Sequence, residues 1–301
     1  MRIARRDFAF ALTGLAAGTL LLRPGAARAA QSSQTGTREA LTASLRGIEA
    51  KTGGRLGVAL IDGTDGAVEG YREAERFPMC STFKALAAAA VLARVDAGSE
   101  RIDRVVRYTR ADLVTYSPAA EKHVDDGMTL DALCEAAVTL SDNTAGNLLL
   151  KAIGGPAGLT AYARSLGDRL TRLDRWETAL NEAAPGDERD TTTPAAMAGN
   201  LRRLVLGDAL QPASRARLTG WLVGNKTGDT RLRAGVPGDW RVGDKTGTGE
   251  NGTANDVGIA WPPRRAPLVV AIYLTQSRGD AASRNAAIAE AARAIAVSQG
   301  A

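Results

Sequence analysis

The sequence predicts a two-lobed α/β (α+β) fold. An antiparallel sheet flanked by N- and C-terminal helices carries an inserted all-helical lobe, with an active site in the cleft between them. Three observations predict it. Strand-like runs occur near both ends of the chain, at 55–62 and 67–72 and again at 240–246, 255–261 and 268–275. Between them, apolar residues at helical spacing mark segments near 83–97, 129–139, 142–152, 156–166, 194–206 and 212–223. The length of 301 residues and a hydrophobic content of 45% suffice to bury one large core or two lobes.

Taken in order, residues 1–29 read as a signal peptide of the twin-arginine type. Arg5-Arg6-Asp7-Phe8 precedes an apolar run from Ala9 to Leu22, and Ala27-Arg28-Ala29 supplies an A-x-A cleavage signal. That run is about 14 residues, short of the roughly 20 a membrane-spanning helix needs. The expectation is cleavage near Ala29–Ala30 and export to the periplasm or medium, with no membrane attachment after processing. The full chain carries a net charge of +5. Removing the leader's five arginines and one aspartate leaves 33 basic against 32 acidic residues, which excludes a nucleic-acid footprint.

The mature chain opens with a helix over 37–51, stopped by Gly53-Gly54, followed by the strands at 55–62 and 67–72 around a turn at 63–66. These form the first part of an α/β lobe, 30–76, completed by 225–301. That second part holds the three late strands and an Ala-rich helix over 281–298. Residues 77–224 form the helical lobe. Two cysteines, Cys80 and Cys134, read as free buried thiols. The single histidine, His123, sits in a charged loop-like stretch, so neither a Ser-His-Asp triad nor an ordinary zinc site is available. No metal or organic cofactor is expected.

Ser81-Thr82-Phe83-Lys84 places a hydroxyl and an amine three residues apart at the head of an Ala/Leu-rich helix, on one helical face. A serine becomes a nucleophile when a nearby base takes its proton, and a lysine kept neutral by burial can do so. Ser141-Asp142-Asn143 lies between two helical segments, where it can aim a hydroxyl and an amide at the cleft; taken alone it reads first as a helix N-cap. Lys245-Thr246-Gly247 follows a strand, and a cation beside a hydroxyl and a glycine suits a carboxylate. Lys226-Thr227-Gly228 repeats the triplet after a helix, and its glycine reads as a helix stop.

S-x-x-K, S-D-N and K-T-G in this order resemble the penicillin-recognising serine acyltransferases, across about residues 37–298. Trp176-Glu177-Thr178-Ala179-Leu180-Asn181 is similar to the E-x-x-L-N motif of class A serine β-lactamases, which the transpeptidases and carboxypeptidases of that superfamily generally lack. The resemblance implies hydrolysis of penicillins and cephalosporins through a serine acyl-enzyme, and so antibiotic resistance. The alternatives are a D,D-peptidase or penicillin-binding protein and a non-enzymatic β-lactam sensor domain.

It further implies Ser81 as nucleophile, with Lys84 or Glu177 as base in acylation. Ser141 would pass a proton to the leaving nitrogen, and Glu177 with Asn181 would hold the hydrolytic water. Asn143 would bind the substrate's side-chain amide; Lys245, Thr246, Thr248 and Arg231 its carboxylate. Gly247 lies in this substrate-binding stretch, Tyr116 would form an aromatic wall, and the N–H groups of Ser81 and Thr248 would hold the oxyanion. Arg175 and Asp190 match the pair that closes the neck of an omega loop, 175–190. Relatives that hydrolyse carbapenems bond the cysteine at Cys80 to one at the position of Gly249, so that bond is excluded here. The partner is a small β-lactam, and the protein a monomer.

Overall fold

The computed structural model of the chain describes residues 24–301 apart from Asp65, with side chains from Gly36 onward. Most of the expected signal peptide lies outside the described residues. The first element, α1 (Pro24–Thr52), starts well before the expected position 37. Proline suits a first helical turn, and the alanines that follow have the highest helix propensity. Arg38–Ala301 forms one compact unit.

After α1 come β1 (Arg55–Asp62), β2 (Val68–Tyr71) and the short β3 (Phe77–Pro78). A 3-10 turn over Cys80–Thr82 runs directly into α2 (Phe83–Asp96). The two-residue strands β4 (Val105–Val106) and β5 (Met128–Thr129) pair ahead of α3 (Leu130–Thr139), α4 (Asn143–Ile153) and α5 (Gly155–Ser165). Next, β6 (Thr191–Thr192) pairs with β3, and α6 (Pro194–Leu201) passes into a π-helical turn over Arg202–Leu206. Then follow α7 (Pro212–Val223), the short α8 (Leu232–Gly235), β7 (Arg241–Gly249), β8 (Thr253–Trp261), β9 (Leu268–Thr275) and α9 (Ala281–Ser298).

Five strands form one antiparallel sheet in the order β2-β1-β9-β8-β7, so the early and late strands meet as expected, with β1 paired to β9 along its whole length. Side chains alternate across the sheet with period two. Leu56, Val58 and Leu60 of β1, with Val270, Ile272 and Leu274 of β9, face α1 and α9 through Leu41, Leu45, Ile288 and Ile295. Ala59, Ile61, Val269, Ala271 and Tyr273 point the other way, into the core shared with α2, α3, α4, α6 and α7. All eight residues of β9 are buried, which is why its sequence is continuously apolar.

Strand β7 runs further than the sequence indicates. The sequence places its end near Thr246. Pairing with β8 carries it through Gly249, opposite Thr253. As the last strand of the sheet, β7 has one edge free of sheet pairing, and this edge borders the site.

Candidate active site

Ser81 and Lys84 occupy two different elements, the 3-10 turn and the first turn of α2. Cys80 adopts a left-handed φ of 45° just before the serine, which turns the chain sharply into the helix. The turn that carries Ser81 is braced from the sheet. Asn255 Nδ2 of β8 donates to the carbonyls of Pro78 and Met79, and the Tyr273 and Thr82 hydroxyls lie 3.1 Å apart. A Cβ on Gly247 would lie 2.8 Å from Met79 O. The glycine of K-T-G is therefore required by the close approach of β7 to the turn before Ser81.

Lys84 is wholly buried, and its Nζ lies 3.0 Å from Ser81 Oγ, 2.8 Å from Ser141 O, 2.6 Å from Asn143 Oδ1 and 3.0 Å from Glu177 Oε1. Burial lowers its pKa from the ordinary lysine value, and the Glu177 carboxylate opposes that shift. Ser81 Oγ also donates to Glu177 Oε1 at 3.2 Å. Both candidate bases thus reach the serine hydroxyl. Gly146 of α4 leaves room for the lysine stem, since a Cβ there would come within 2.8 Å of Lys84 Cε.

Glu177 is buried, and its other oxygen accepts from Asn181 Nδ2 at 2.5 Å. Asn181 Oδ1 is buried with no donor among the described residues, so it can accept from a water beside the carboxylate. The loop that carries both residues is closed by Arg175 and Asp190, with Nε to Oδ2 at 2.5 Å. Asp190 Oδ1 also takes the backbone N–H groups of Asp174 and Arg175, and the Met79 N–H donates to Asp190 O at 2.9 Å.

Sequence reading missed Asn147. Its Oδ1 accepts the Glu177 N–H at 2.9 Å and its Nδ2 donates to Glu177 O at 3.0 Å, gripping the glutamate's backbone from α4. The available signal was its spacing, one helical turn after Asn143.

Ser141, with φ 61°, presents its carbonyl to Lys84 and its hydroxyl to Lys245 Nζ at 3.0 Å. Asp142 is an N-cap as well, accepting from Ala145 N at 2.8 Å and, through Oδ2, from Ala119 and Ala120. Capping and site placement therefore coexist in S-D-N. Asn143 Nδ2 donates to Thr115 O at 2.8 Å.

Lys245 is wholly buried. Its pKa is well below the usual lysine range, first through burial and next through the charge on Lys84. Arg231 donates to Gly247 O, Asn255 O, Thr248 Oγ1 and Asn285 Oδ1, which leaves one of its five N–H groups without a partner among the described residues. Burial also lowers the Arg231 pKa.

A cavity of about 300 Å³ is lined by Ser81, Tyr116, Ser141, Asn143, Asn181, Arg231 and residues 246–248, together with Thr227. Tyr116 is exposed at its mouth. His123 is exposed and does not line it. Gly228 is not a helix stop, because α7 ends at Val223 with Gly224 as its cap. A Cβ on Gly228 would sit 1.9 Å from Asp244 Oδ2, so close packing against β7 requires it. The repeated triplet lies against the site. Cys80 and Cys134 are both buried and free, their thiol pKa values raised by burial. The position of a Cβ on Gly249 is 2.6 Å from Cys80 Sγ.

Comparison with known proteins agrees with this geometry. The Beta-lactamase enzyme family matches residues 39–298. Beta-lactamase FAR-1 of Nocardia farcinica (strain IFM 10152) is 55% identical over 254 residues, 84% of this chain and 81% of the relative. An ancestral (GNCA) class A β-lactamase structure is 67% identical with a TM-score of 0.84, covering 85% of this chain and 98% of that one. The putative class A β-lactamase PenP from Rhodopseudomonas palustris is 62% identical with a TM-score of 0.85, covering 86% and 99%. With Ser81, the buried Lys84 and Glu177 in mutual contact, the chain belongs to the Beta-lactamase enzyme family and is a class A serine β-lactamase.

Proposed function

We propose that Ser81 opens the lactam ring of penicillins and cephalosporins and that Glu177 activates the water that frees the product. The observation that carries this reading is the shared contact of Lys84 Nζ and Glu177 Oε1 with the Ser81 hydroxyl.

In acylation, Ser81 Oγ bonds to the lactam carbonyl carbon while its proton leaves to Lys84 or to Glu177. The N–H groups of Ser81 and Thr248 stabilise the oxyanion. The carbon–nitrogen bond then breaks, and Ser141, next to Lys245, relays a proton to the departing nitrogen. In deacylation, Glu177 takes a proton from a water held with Asn181. The resulting hydroxide attacks the ester carbon, the bond to Ser81 Oγ breaks, and the serine regains its proton.

Asn143 and Tyr116 contact the substrate's side chain. Lys245, Thr246, Thr248 and the remaining Arg231 N–H bind its carboxylate. Arg175 and Asp190 hold the omega loop in register. The site sits where the sheet-bearing part of the chain, 30–76 and 225–301, meets the helical part, 77–224. Export through the N-terminal leader puts a monomeric enzyme in the periplasm or medium, where it confers resistance by destroying β-lactams before they reach their targets. Among the described residues no helix is long and apolar enough to cross a membrane.

A chromogenic cephalosporin added to the mature protein tests the reading. Sustained turnover is expected. One stoichiometric burst followed by silence would point to a penicillin-binding protein or sensor, since either keeps its acyl group.

A further inference from the structure

Asn255 is wholly buried in β8, on the same side of the strand as the core residues Val257 and Ile259. An apolar side chain is the ordinary occupant of such a position, and asparagine is depleted in strands. Its amide oxygen has no donor among the described residues, and a buried unpaired acceptor is costly. Its amide nitrogen donates to Pro78 O at 2.9 Å and to Met79 O at 3.1 Å. Both acceptors are carbonyls, so the direction of these bonds is fixed and each takes one of the two amide hydrogens. The amide cannot be turned over, because its oxygen would then face both carbonyl oxygens.

The two carbonyls belong to the segment that leads into Ser81. Main-chain pairing ties Asn255 to the other side of the site. In the ladder between β8 and β7, Asn255 stands opposite Gly247, and Ala254 opposite Thr248. One residue therefore joins the strand pair that fixes the Thr248 N–H to the turn that carries the Ser81 N–H. These are the two groups assigned to the oxyanion.

We propose that Asn255 is a positioning residue for the oxyanion hole, its amide hydrogens setting the Ser81 N–H in register with the Thr248 N–H. The proposal rests on the reading of Ser81 as nucleophile. Asn255 does not line the cavity, so it acts only through the turn. Its other link to a binding residue, Arg231 Nη1 donating to Asn255 O at 2.7 Å, is made by the main chain and survives a change of side chain. Thr82 also keeps its bond to Met79 O and its contact with Tyr273, so losing the amide displaces the turn without unfolding it.

The test replaces Asn255 by leucine, which has similar size and no hydrogen to donate, and by aspartate, which keeps the shape and offers one hydrogen at most. With benzylpenicillin, the acylation rate constant of Asn255→Leu in stopped-flow kinetics is expected to fall about tenfold, as a sub-ångström misplacement of a reacting group does. In a Ser81→Ala background, Asn255→Leu is expected to leave the Kd for benzylpenicillin unchanged by calorimetry. In a Glu177→Ala background, substrate isotope-labelled at the lactam carbonyl gives an ester whose infrared stretch reads the oxyanion hole directly. Asn255→Leu is expected to move that stretch to higher wavenumber, because a carbonyl with weaker hydrogen bonds is stiffer. Asn255→Asp is expected to move rate and stretch the same way, and decides the matter should the leucine variant fail to fold.

A slower acylation with an unmoved stretch would overturn the proposal, since the oxyanion hole would then be intact. A Kd weakened by the same factor as the rate would overturn it too, by placing the effect on binding. So would wild-type rate and stretch in either variant. If Glu177→Ala yields no labelled ester band, the nucleophile reading falls and takes the Asn255 role with it.

Discussion

Four oxygens surround the Lys84 amine, but an ammonium has three hydrogens. Ser141 O and Asn143 Oδ1 can only accept, so they hold two hydrogens in either charge state. The remaining direction faces Ser81 Oγ and Glu177 Oε1, where a neutral amine offers its lone pair. Lys245 shows the same influence of burial on the other side of Ser141. Its folded pKa lies well below the ordinary 10.5, so between those two values the unfolded chain binds more protons than the folded one. Stability from this group therefore increases with pH across that window. Comparing wild type with Lys245→Met in urea titrations at several pH values, the stability difference is expected to shift in favour of the wild type as pH rises toward 10.5. A pH-independent difference would show that Lys245 keeps an ordinary pKa.

The omega loop and the edge strand are the elements that set these residues in place. Asp190 accepts from the Arg175 guanidinium and from two backbone N–H groups, and its own carbonyl holds the turn before Ser81. Asp190→Ala leaves both backbone N–H groups without their acceptor and removes one carboxylate from Arg175, which keeps Glu182, while the carbonyl bond to Met79 remains. It is expected to cost about 3–5 kcal/mol in urea unfolding and to slow deacylation more than acylation in stopped-flow kinetics. Asn147→Ala removes both hydrogen bonds to the Glu177 backbone. A kcat about tenfold lower, with stability reduced by about 1–3 kcal/mol, is the expected result; an unchanged kcat would show that Asn181 and the loop closure suffice to hold the glutamate.

At this scale the sequence was informative about helices and central strands, because burial imposes a period on them. Motif order brought Ser81, Lys84, Glu177 and Lys245 to one candidate site. Asn147 escaped for a physical reason: its spacing from Asn143 puts both on one side of α4, but its two hydrogen bonds run to the backbone of a distant loop, which local spacing does not encode. Gly228 misled because a glycine after a helix usually ends it, whereas here it admits the Asp244 carboxylate.

Across the whole molecule, one sheet serves two cores. The apolar side chains of its outer face, packed with α1 and α9, do not line the cavity. Leu45, fully buried on α1 against that face, tests the separation. Leu45→Ala is expected to cost about 2–5 kcal/mol of stability, as for other buried leucines, while kcat at 25 °C stays at the wild-type level. A matching loss of kcat would show that the outer core also sets site geometry. The opposite face holds the turn before α2 against the sheet through Asn255 and Tyr273.

The central claim is that a penicillin-derived ester on Ser81 is released by water activated at Glu177. Intact-protein mass spectrometry after mixing Glu177→Ala with benzylpenicillin tests it most directly. The account predicts a persistent adduct of one penicillin mass that is absent in Ser81→Ala, while the wild type returns to its free mass after many turnovers. A Glu177→Ala enzyme that clears penicillin at the wild-type rate would contradict it.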